Sequence, residues 1–216
     1  MNTQPPPMPP DLPPPLPAVQ AGPLTPEHMQ ALAMADQRAK KLRSAAGVAK
    51  FNYVCFGTFG VLSLLIAAGE AAFGVFDWLA VVIGLGLGAI AWNESRGRKL
   101  MLRFDPKAPS VLGWNQVALI VLITAYAAWM ISASLRGPSM ADEIRRQVPD
   151  AERMLGGIGN LQRTLTTLIY GSLIAATLIF QGINALYYFS RGKILRTYLA
   201  ETPEWVVQFQ RTQAGR

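Results

Sequence analysis

The chain has 216 residues, 51% of them apolar and 15% charged, whereas soluble domains carry about a quarter charged residues. Its apolar residues gather in three charge-free windows longer than about 18 residues and one slightly shorter, the length that a bilayer core of about 30 Å requires, so an ordinary soluble domain is excluded. The net charge of +7 does not make a nucleic-acid binder, because the basic residues sit in short clusters beside these windows, where positive charge sets topology and attracts anionic lipid.

Eleven of the sixteen prolines lie within residues 1–26. That composition predicts a disordered, proline-rich tail over 1–25, able to act as a flexible tether and carrying spacings such as Pro10 with Pro13. No Lys or Arg occurs before Arg38, so a cleaved secretory signal is not expected and the first apolar window reads as a signal anchor. A juxtamembrane basic helix is predicted over 26–50, with Thr25 as its cap, Pro26 at its first position and Glu27 near the positive end of its dipole. Leu32, Ala35, Ala39, Leu42 and Ala46 recur on it at helical spacing and form a weakly apolar stripe.

A transmembrane domain follows over 51–190, with spans at about 51–72, 75–93, 111–135 and 164–189. The first two spans are joined so closely that they must form an antiparallel hairpin. Arg136, Gly137 and Pro138 stop the third, and Arg163 and Arg191 bracket the fourth. The segment 136–163 reads as external, with one or two short helices on the membrane surface, the first opened by Ser139 and Asp142. Residues 191–216 read as a helical tail in which Thr202, Pro203 and Glu204 open a helix carrying Trp205, Val206 and Phe209. The fold class expected is therefore all-α, an integral membrane four-helix bundle.

Lys and Arg number five before the first span, five between the second and third, five between the third and fourth, and five after the last. With the N-terminus inside, fifteen lie on the cytoplasmic face and five outside, so both termini are expected in the cytoplasm. The aromatic residues agree: Tyr53, Trp92, Trp114, Tyr187 and Tyr188 fall at the inner ends, and Trp78, Trp129 and Tyr170 near the outer ends.

Glu70, Asp77 and Glu94 are the acids closest to the hydrocarbon. All three stand at span ends where a carboxylate can be hydrated, and Glu70 with Asp77, on one outer hairpin, form a candidate ion or proton site. Six amides gather near the cytoplasmic level: Asn52, Asn93, Asn115, Gln116, Gln181 and Asn184, contributed by all four spans. They read either as hydrogen bonds between helices or as a polar vestibule open to the inside. Gly84 and Gly88, four apart, and Gly171 suggest helix-packing surfaces. The sole histidine, His28, and sole cysteine, Cys55, offer no metal cluster, and no nucleophile stands with a base, so neither cofactor, metal nor enzymatic activity is expected.

Trp92-Asn-Glu-Ser-Arg-Gly-Arg-Lys through Phe104-Asp-Pro, Gly113-Trp-Asn-Gln, and Tyr187-Tyr-Phe-Ser-Arg through Glu201-Thr-Pro-Glu-Trp205 make up 38 of the 216 residues. In these stretches the sequence resembles uncharacterised bacterial four-span membrane proteins of planctomycete type. The resemblance implies topology and a bacterial source, and carries no functional residue; the expected location is a bacterial inner membrane. The expectation is a non-enzymatic membrane scaffold or interaction subunit, with a small transporter or channel subunit as the alternative. Expected partners are the bilayer, anionic headgroups reached by Lys40, Lys41, Arg43, Arg96, Arg98 and Lys99, and a membrane protein or a second copy of the chain, with no nucleic acid.

Overall fold

The computed structural model describes residues 25–138, 142, 144 and 158–214. The proline-rich tail and the external segment's expected surface helices lie outside these, save for the first turns of the helix that begins at Ile158. The described residues form five helices and no strand: α1 (Pro26–Ala72), α2 (Trp78–Leu102), α3 (Ala108–Arg136), α4 (Ile158–Glu201) and α5 (Glu204–Ala214). The all-α reading holds, and four of these helices are long and apolar enough to cross a membrane.

One expectation needs correcting. The juxtamembrane helix and the first span are a single 47-residue helix, about 70 Å long at 1.5 Å per residue. Between Leu42 and Phe51 the chain offers no proline and only Gly47, so nothing ends the helix at the hydrocarbon boundary. Similarly, α4 runs 44 residues through the fourth span and beyond it. Both helices outreach a bilayer of about 40–45 Å including its headgroups.

Thr25 Oγ1 accepts from His28 N–H at 3.4 Å and caps α1. Its other end closes at Gly74, whose φ of +80° suits glycine, with Gly74 N–H donating to Ala71 O and Val75 N–H to Glu70 O. Asp77 then caps α2 through Oδ1, which accepts from Leu79 N–H at 2.9 Å and Ala80 N–H at 3.0 Å. These two termini make the tight hairpin that the short connection requires.

The connection from α2 to α3 uses the same turn with a different residue. Phe104 N–H donates to Met101 O and Asp105 N–H to Leu100 O, and the left-handed position is held by Phe104 at φ +53°. A phenylalanine is strained there. Its ring is 2% exposed and stacks on Tyr198 at 4.8 Å, so burial offsets the strain.

α1 packs along α2 and α3 along α4, α2 joins the two pairs, and α1 and α4 touch at few points. The main core lies at the basic end, beyond most of the apolar windows. There Ala35, Ala39, Leu42, Ala45, Ala46 and Ala49 of α1 meet Met101, Phe104, Leu112, Tyr188, Leu195 and Tyr198, with Val206 and Val207 of α5 closing the end. The weakly apolar stripe of α1 is therefore a close-packing surface: alanine lets neighbouring backbones approach. In α5 the inward residues are Val206, Val207 and Gln210, while Trp205 and Phe209 stay exposed.

A smaller core of Leu87, Ile90 and Leu119 lies nearer the middle of the apolar zone. Gly60 of α1 sits against α2, where an added Cβ would meet Gly84 O at 3.0 Å and Gly88 N at 3.1 Å. Toward the opposite end of the bundle, Trp78 packs edge-on against Trp129 and Tyr126 against Tyr170.

Candidate functional site

Three of the six predicted amides face Glu94, a fourth, Asn93, joins them through Asn115, and two stand elsewhere. Glu94 follows one turn after Ile90 on α2, so both face the same neighbours across α2 and α3. Opposite them, Asn115 and Gln116 lie in the second turn of α3. Asn115 Nδ2 donates to Ile90 O at 3.0 Å and to Glu94 Oε1 at 3.2 Å, and Asn115 Oδ1 accepts from Asn93 Nδ2 at 3.2 Å. Gln116 Nε2 donates to the same Glu94 Oε1. From α1, Asn52 faces the carboxyl group and donates through Nδ2 to Tyr188 OH of α4 at 3.3 Å. All four long helices thus contribute to one polar node.

The node is closed. Glu94 and Gln116 are 0% exposed, Asn115 3% and Asn52 6%. Sequence reasoning put Glu94 at a hydrated span end and left it out of the candidate sites; the structure buries it, because α1 and α3 pack against this level of α2. Tyr188, expected at the headgroup boundary, is also buried, with its hydroxyl turned into the node. An acid one residue beyond an amide, Asn93-Glu94, facing a second amide pair, Asn115-Gln116, was the signal available. Two polar atoms remain without partners: Glu94 Oε2 and Gln116 Oε1.

Gln181 and Asn184 stand apart. Asn184 Nδ2 donates to Gln181 Oε1 at 3.3 Å within α4. Gln181 lines a cleft of about 400 Å³ with Ser63, Thr177 and otherwise apolar walls, among them Phe56, Leu87, Leu119 and Leu173. This cleft lies where α1 and α4 diverge.

Glu70 and Asp77 make separate arrangements and no shared site. Asp77 is committed to the α2 cap, whereas Glu70 Oε2 is covered and unpartnered. Among the predicted packing glycines, Gly84 sits against Leu64 and Gly60, and the Gly88 backbone lies close to Gly60. A Cβ at Gly88 itself, or at Gly171, meets nothing within 4 Å, so Gly171 marks no packing surface. Glycines that the sequence reading did not single out are tighter: Gly97 against Leu112, and Gly113 under the Phe189 ring, where an added Cβ would come within 2.6 Å of a ring carbon.

At the basic end, Arg38 pairs with Glu201 at 3.3 Å and Arg43 with Asp36 at 2.7 Å. A second cleft of about 310 Å³ is lined by Arg38, Lys41, Lys193 and Glu201. Tyr198 OH donates to Gln210 Oε1 at 2.6 Å, Arg211 Nε donates to Arg103 O at 2.9 Å, and the His28 and Trp205 rings meet edge-on at 5.1 Å. Burial here pushes the Tyr198 phenol above its ordinary pKa. These contacts fasten α5 to the start of α1 and to the ends of α2 and α4.

Fold and site together define a helical protein with four helices long and apolar enough to cross a membrane, joined by a packed basic end. Comparison with protein-family models, curated proteins and solved structures finds no match.

Proposed function

We propose that this chain is a non-enzymatic scaffold or interaction subunit of a bacterial inner membrane, with both termini cytoplasmic and the packed basic end forming a cytoplasmic head. One observation carries the reading: the buried core concentrates in the helical extensions, while the membrane portions bury little. The most apolar window of α4 contains no buried residue, and that of α3 only 11%. Helices whose apolar faces are left to lipid and neighbours suit association within the bilayer. The excess of basic residues at the head favours its cytoplasmic placement.

The partners proposed are lipid and protein. Lys41 and Lys193, in the cleft beside the Arg38–Glu201 pair, suit an anionic headgroup. The apolar cleft between the diverging parts of α1 and α4 suits an acyl chain or the side chains of another membrane helix, whether from a different protein or a second copy. The amides favour this reading over a transport pathway, because Asn52, Asn115 and Gln116 are buried between helices and do not line a vestibule.

Purification in mild detergent followed by mass spectrometry of retained protein and lipid tests the reading. A reproducible protein partner or copurifying anionic lipid is expected. Solute flux through the purified protein in vesicles, abolished by Gln181→Leu with Asn184→Leu while assembly persists, would overturn it in favour of a transporter.

A further inference from the structure

Glu94 is the one fully buried acid among the described residues, and the ion pairs among those residues, Arg38–Glu201 and Asp36–Arg43, lie elsewhere. No cationic side chain among the described residues therefore stands within 4 Å of its carboxyl group. Asn52 faces it from α1, Asn115 and Gln116 from α3, and Tyr188 from α4. Tyr188 is the only titratable group among these, and it is a phenol, neutral at physiological pH.

A count of donors and acceptors then decides the state of the acid. Glu94 Oε1 accepts from Asn115 and Gln116, whereas Glu94 Oε2 and Gln116 Oε1 have no partner. An ionised carboxylate only accepts, and so does an amide oxygen, so two such orphans cannot satisfy each other. One added proton changes this. On Oε2 it makes a donor, and the matching acceptor belongs to the amide already bonded to the other carboxyl oxygen. A carboxylic acid and a primary amide, both planar, then pair through two parallel hydrogen bonds.

We propose that Glu94 is a proton-binding site: it is held as a neutral carboxylic acid at physiological pH, with Oε2–H donating to Gln116 Oε1 and Gln116 Nε2–H donating to Glu94 Oε1, so that a proton ties α2 to α3. The proton comes from water, and its loss leaves a buried negative charge with no cation beside it. Proton release is therefore coupled to opening of the helices at this level. The proposal does not depend on the scaffold reading.

Infrared difference spectroscopy of the full chain in lipid nanodiscs at pH 7 reads the state of the carboxyl group directly. Wild-type protein is expected to show a protonated-carboxyl band that shifts in D2O, disappears in Glu94→Gln and moves in Gln116→Leu. Glu94→Gln should keep the wild-type melting temperature, because its amide N–H takes the place of the bound proton. Should Glu94→Gln fail to accumulate, the wild-type band and its displacement in Gln116→Leu still decide the matter. Absence of the band at pH 7 overturns the proposal. So does a rise in melting temperature with Na+ or K+ in wild type but not in Glu94→Gln, which would identify a metal cation in the proton's place.

Discussion

Phe104 offers a sharp test of the core at the basic end, because its backbone and its side chain make opposite demands. Its φ of +53° is unfavourable for any residue with a Cβ, by roughly 1–2 kcal/mol. Its ring is buried and stacked on Tyr198. Phe104→Ala removes the ring and keeps the strained backbone, and should cost about 3–5 kcal/mol, as buried aromatic truncations do. Phe104→Gly removes the same ring and also relieves the strain, so its cost should be lower by about 1 kcal/mol. The expected order is wild type, then glycine, then alanine, the reverse of the usual ranking of glycine and alanine in helices. Reversible unfolding in mixed micelles, followed by tryptophan fluorescence, measures all three. If alanine is the more stable of the two variants, or if both lie within about 0.5 kcal/mol of wild type, the turn and the core built on it are wrong.

Three further outcomes follow from the same geometry. Gly60→Val should destabilise the bundle by about 1–3 kcal/mol, since its new atoms meet the backbone of α2 at Gly84 and Gly88, while Gly171→Ala should be close to neutral; the same unfolding assay separates them. Asp77→Ala removes the α2 cap and should cost about 1 kcal/mol, with faster amide exchange at Leu79 and Ala80 as the local sign. Arg211→Ala should loosen α5 with only a small effect on global stability, measured as earlier proteolysis at the C-terminal end, because its bond to Arg103 O is exposed.

The helices and their ends could be read from local chemistry. Apolar runs marked the spans, Thr25 and Pro26 marked the start of α1, and the short link between the first two spans required a hairpin. The continuity of α1 follows from the missing stop signal near residue 50, which a reading guided by hydropathy divides at the change in composition. The candidate site was half legible. Asn52, Asn93, Asn115 and Gln116 were recognisable as amides at one level, but their gathering around Glu94 depends on the rotation of each helix about its axis. That rotation is set by contacts such as Gly97 against Leu112 and Gly113 against Phe189, which join residues distant in sequence. The same dependence explains why Gln181, an equally good candidate by type and depth, lines a different cleft and holds Asn184 beside it.

The central claim is that four helices cross a bilayer with the packed basic end in the cytoplasm. Labelling of intact cells with a membrane-impermeant maleimide tests it most directly, using Cys55→Ala protein that carries either Gly137→Cys or Gln208→Cys. The account predicts that the first variant reacts from outside and the second only after lysis. Reaction of Gln208→Cys in intact cells, or recovery of the protein in the soluble fraction after alkaline carbonate, would contradict it.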